Sequence, residues 1–119
     1  MKLQYRKHGG PLDVSLSCAV ESHNRQQITQ EEAEDLEKLV VLSKFWTLPN
    51  SVSEGNHPEF FYMLSINAAA QAHSVRFSSG SFDDNPHIWR IVDLVESLCY
   101  RACAAEERPH QSASCCIER

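Results

Sequence analysis

With 119 residues, 42% of them hydrophobic and 23% charged, the chain has ordinary globular composition and room for one core, too little for two domains of usual size. A formal net charge of -5 argues against nucleic acid as a main partner, because phosphate binding is driven by lysine and arginine displacing counterions. No stretch approaches the roughly 20 apolar residues that span a bilayer, and Lys2, Gln4, Arg6, Lys7 and His8 interrupt any apolar centre a signal peptide would need, so a cytoplasmic protein off the membrane is expected.

The first element is a hairpin. Leu3 and Tyr5 alternate with polar neighbours, and His8-Gly9-Gly10-Pro11 supplies turn chemistry, since glycine accepts positive φ and proline cannot donate to a ladder. The return strand places Leu12, Val14, Leu16, Cys18 and Val20 on one side, with Asp13, Ser15, Ser17 and Ala19 on the other. A period of two over that length means one buried and one wet sheet face. A polar connection, Glu21 to Gln27, leads to a helix that starts at a capping box formed by Thr29 and Glu32, with Ile28 placed to staple onto Ala33. Ala33, Leu36, Leu39, Val40 and Phe45 keep helical spacing until Leu48-Pro49. Glu31, Glu32, Glu34, Asp35 and Glu37 crowd this helix and read as a solvated face with acids near the positive helix end.

The second half repeats the plan. After a Ser-, Asn- and Gly-rich loop to His57, Phe60, Tyr62, Leu64 and Ile66 alternate with Phe61, Met63 and Ser65. A connection over Asn67–Gln71 is followed by a strand with His73, Val75 and Phe77 on one side. Asn85-Pro86 then opens a helix whose apolar face carries Ile88, Ile91, Val92, Val95, Leu98, Cys99 and Ala102. The order ββαββα predicts an α+β fold: a four-stranded, mainly antiparallel sheet with two amphipathic helices on one face. Residues 1–105 form the single expected domain; 106–119 are polar, broken by Pro109, and expected to be a flexible tail.

Enzyme motifs are lacking: there is no phosphate loop, no zinc-protease helix motif and no paired CxxC, so no catalytic role and no cofactor are expected. Five cysteines without a signal peptide read as reduced thiols, with Cys18 and Cys99 acting as small buried hydrophobes. His110 with Cys115-Cys116 is the most metal-like set, but three ligands on a loose tail leave a tetrahedral site incomplete, and a plain chain end is preferred. Phe61 and Met63 fall on the face opposite Phe60 and Tyr62. They are either open to a partner or covered by the 46–57 loop.

Taken in order, several segments resemble the emfourin-like family, small bacterial protein inhibitors of protealysin and related thermolysin-type metalloproteases. They are Lys7-His8-Gly9-Gly10, a Glu-rich helix running to Phe45-Trp46-Thr47-Leu48-Pro49, Phe60-x-Tyr62-x-Leu64-x-Ile66, His73-Ser74-Val75, and a last helix carrying Trp89. Pro11-Leu12-Asp13 departs from the small residues familiar after the double glycine. The resemblance implies a thermolysin-like zinc metalloprotease as partner, and steric blockade of its cleft by a loop on a rigid scaffold. Two surfaces are candidates: the turn of His8, Gly9, Gly10 and Pro11, and the loop offering Leu48, Val52, Glu54 and His57. Two other classes stand beside this one, a non-catalytic interaction module using an exposed sheet face and a thiol- or metal-binding regulator based on the tail. The sequence leaves the oligomeric state open.

Overall fold

The computed structural model describes residues 1–11, 13–52, 59–105 and 115–118. Leu12, Glu54, His57, His110 and most of the expected tail lie outside the described residues. The elements are β1 (Lys2–Gly9), β2 (Val14–Glu21), α1 (Gln30–Leu42), a 3-10 turn at Phe45–Thr47, β3 (Phe60–Ala68), β4 (Gln71–Ser78), α2 (Pro86–Ala105) and a short β5 (Cys115–Glu118). The expected α+β class and ββαββα order are those found: two antiparallel hairpins joined through β1 and β3 make a four-stranded antiparallel sheet in the order β4-β3-β1-β2.

β5 adds a fifth strand beyond β2, pairing antiparallel from Ser15↔Glu118 to Cys18↔Cys115. Four residues are too few to show a period in sequence, and the otherwise open edge of β2 is what they pair with. The opposite edge, β4, is partly occupied as well. Arg76 donates its N–H to the Asn50 carbonyl at 2.8 Å, and Val52 donates to the Arg76 carbonyl at 2.8 Å.

The core forms where the alternation said it would. Leu3 and Tyr5 of β1, Leu16, Cys18 and Val20 of β2, Leu64 and Ile66 of β3, and Val75 and Phe77 of β4 are all buried. They meet Leu36 and Val40 of α1 and Ile88, Ile91, Val95 and Leu98 of α2 in one cluster, so both helices cover the same sheet face. Around Tyr62 the packing is aromatic: Phe77 stacks on it at 5.2 Å, and Trp89 meets both rings edge-on while donating Nε1–H to the Ser81 carbonyl at 2.9 Å.

α1 begins at the expected capping box. Thr29 Oγ1 accepts from the Glu32 N–H at 3.1 Å, and Glu32 Oε1 accepts from the Thr29 N–H at 2.9 Å. The helix stops earlier than the apolar spacing suggests. Ser43 caps it, Lys44 turns left-handed at φ 55°, and Phe45 enters the core from a separate 3-10 turn. The second hairpin is tighter than expected: β3 and β4 pair as far as Ala68↔Gln71, leaving only Ala69 and Ala70 as the loop. Asn85 donates its side-chain N–H to the Ser43 carbonyl at 2.9 Å, tying the entry of α2 to the end of α1.

Cys18 and Cys99 are buried as expected, yet they are not separate thiols: the structure joins them in a disulfide, with Cα atoms 5.9 Å apart. The cause is topological. The inward face of β2 and the apolar face of α2 pack together, and these two small residues meet there.

Candidate functional site

Of the two surfaces singled out from sequence, the structure brings His8 of the turn and Val52 of the loop to one end of the sheet. Gly9 and Gly10 have φ of 125° and 79°, and the Asp13 N–H closes the turn on the Gly10 carbonyl at 3.1 Å. Their second requirement is space. A Cβ on Gly9 would lie 2.5 Å from the Glu59 carbonyl oxygen, and one on Gly10 would lie 2.9 Å from the Phe60 ring. That closeness lets the Gly10 N–H donate to the Glu59 carbonyl at 2.8 Å, linking the β1–β2 turn to the chain just before β3. Pro11 is exposed at the tip.

Lys7 fixes the inner side of this end. Its Nζ donates to Glu96 Oε1 of α2 at 3.1 Å and sits 4.4 Å from the centroid of the Phe60 ring. Burial pulls the pKa of the Lys7 ammonium down, but the hydrogen bond and charge of Glu96 outweigh it, and the net shift is upward. Beneath lies Tyr5, whose hydroxyl is buried without a hydrogen-bond partner among the described residues. Burial, then the Glu96 charge, pushes its pKa upward.

On the outer side, His8 stacks against Phe61 with ring centroids 5.3 Å apart, as their pairing across β1 and β3 allows. Phe61 remains 42% exposed and Met63 half-buried, so this face is only partly covered. Val52, half-buried, lies beside them. Together with Arg6 and Arg76 these side chains line a shallow cavity of about 490 Å³. Sequence reasoning overlooked the two arginines. Their signal was present, since Arg6 lies between inward-facing Tyr5 and Lys7 and Arg76 between buried Val75 and Phe77. Seeing them as one group requires the pairing Arg6↔Met63↔Arg76, which no local pattern encodes.

Leu48 does not join the cluster. It packs half-buried against the core, and its carbonyl accepts from the Nε2–H of His73 at 2.7 Å, giving both residues structural work. Among the described residues no three His, Cys, Asp or Glu side chains are grouped to hold a metal, and no helix is long and apolar enough to cross a membrane.

The cluster therefore offers a strutted turn, an exposed aromatic pair and two guanidinium groups around an apolar hollow, a set suited to gripping another molecule. Among known proteins, no family model, no curated protein and no solved structure matches this chain.

Proposed function

We propose that this chain is a protein inhibitor of thermolysin-like zinc metalloproteases, acting by steric blockade of the active-site cleft without a cofactor. The observation that supports it is the Gly10–Glu59 hydrogen bond at 2.8 Å. It holds the His8–Pro11 turn against the chain entering β3, so that a partner would meet a pre-organised edge and lose less ordering entropy on binding. The residues that carry the emfourin-like resemblance also serve this end: Gly9-Gly10 shape the turn, and Phe60 lies under it.

Titrating purified thermolysin with the chain tests the reading. Activity is expected to fall to zero near equimolar chain, and undiminished activity at micromolar chain sinks it. We further propose that the protein works in the cytoplasm, where the Cys18–Cys99 disulfide seen in the structure would be held open as two adjacent thiols. Alkylation of fresh lysate unfolded in the presence of the reagent is expected to label both, whereas complete protection under those conditions would move the protein to an oxidising compartment.

A second reading, a non-catalytic interaction module using the open sheet face, is favoured by the exposure of Phe61 beside half-buried Met63.

A further inference from the structure

Where β1, β3 and β4 lie side by side, the sheet face turned away from the helices carries arginine on a chain whose net charge is negative, while the acidic residues of that face, Glu21 and Glu118, lie out on β2 and β5. In register across β1, β3 and β4 it presents Arg6, Met63 and Arg76, and in the neighbouring row His8 and Phe61, with Ser78 buried beside them. Arg6 and Arg76 are exposed, and among the described residues neither guanidinium takes part in an ion pair or hydrogen bond. The formal net charge of -5 meanwhile leaves a surplus of carboxylates elsewhere, including the exposed Glu31, Glu34, Asp35 and Glu37 of α1. A positive patch on a negative protein selects its ligand by sign.

The occupant can be specified further. Pairing to the edge of β4 at Arg76 is closed to a visitor, because both backbone groups of Arg76 are taken by Asn50 and Val52. Contact must come through side chains on the face. The cavity there combines guanidinium groups with the apolar surfaces of Val52, Phe61 and Met63. Two strand-to-strand steps separate Arg6 from Arg76, about 10 Å between their backbones. In a peptide in the polyproline II conformation, with three residues per turn and a rise of about 3.1 Å per residue, carboxylates three positions apart point the same way and span about 9 Å, close to that distance.

We propose that this face binds an acidic segment of a partner protein. Two carboxylates three residues apart engage Arg6 and Arg76, and an apolar side chain between them rests on Phe61 and Met63. The inference rests on the sheet-face reading and is independent of protease inhibition. Arginine suits this role because its planar fork meets a carboxylate through two parallel hydrogen bonds.

The test uses the full chain and a labelled peptide, Ser-Gly-Glu-Leu-Phe-Glu-Gly-Ser, beside versions with both Glu replaced by Gln or by Lys. The acidic peptide is expected to shift the backbone amide resonances of Arg6, Met63 and Arg76. It should bind at least tenfold more tightly than the Gln version at low salt, with the advantage shrinking as salt is added. Arg6→Gln combined with Arg76→Gln should erase that tenfold difference while leaving the thermal midpoint in place. If the Gln or Lys peptide moves the same resonances equally well, the acidic specificity is overturned and the sheet-face reading stands. If no peptide moves that face at millimolar concentration, both fall.

Discussion

Glu32 serves two elements at once. It closes the capping box of α1 and also meets Arg101 of α2, whose Nη2 donates to Glu32 Oε2 at 2.7 Å. The Arg101 hydrogen bond is the largest influence on its carboxyl and takes the pKa from 4.5 down to about 2. The folded state thus holds the proton less tightly than the unfolded chain, and the stability this supplies is complete above pH 4.5 and is lost as pH falls towards 2. Because Arg101 is half-exposed, the pair is worth about 1 kcal/mol. Glu32→Gln is expected to lower the urea midpoint at pH 7 and to flatten its dependence on pH between 4.5 and 2. Gly9 makes the opposite kind of contribution, being defined by what it lacks. Gly9→Ala combines a φ of 125° with the Glu59 carbonyl in its path, and a loss of about 3 kcal/mol in urea unfolding is expected.

Among the elements, those specified by neighbours in sequence were legible and those specified by distant partners were not. Thr29, Glu32 and Ile28 announce the start of α1 within five residues, and the alternation from Leu16 to Val20 fixes the buried face of β2. The end of α1 was hidden because Lys44 adopts a left-handed conformation without being glycine. Relief of that strain by Lys44→Gly is expected to stabilise the protein by about 1 kcal/mol, read as a higher urea midpoint. The Cys18–Cys99 link was equally hidden, with a sequence separation of 81 residues. For a loop of that size the chain-entropy estimate is about 4.5 kcal/mol, so a reductant should lower the thermal midpoint of the purified protein, and Cys18→Ala with Cys99→Ala should reproduce the drop. At the candidate site, His8, the double glycine and Val52 were found from turn and loop chemistry. Arg6 and Arg76 became neighbours only through the β1–β3–β4 ladder.

At the scale of the whole molecule, exposed acids crowd α1 while Arg6 and Arg76 stand on the far side of the sheet. An acidic partner would be turned towards the sheet before touching it, so its association rate is expected to fall as ionic strength rises, with the dissociation rate changing less. The strand order has another outcome, one of timing. β1 is made first yet lies in the middle of the sheet, paired along its length with β3 from Lys2↔Asn67 to Gly9↔Phe60. A nascent chain that has completed only β1, β2 and α1 has half of its central ladder unfilled. Such non-local pairing is slow to form, and the chain must wait for it. A fragment ending at Pro49 is expected to show no cooperative thermal transition by circular dichroism, because the first half acquires its fold only when the second arrives.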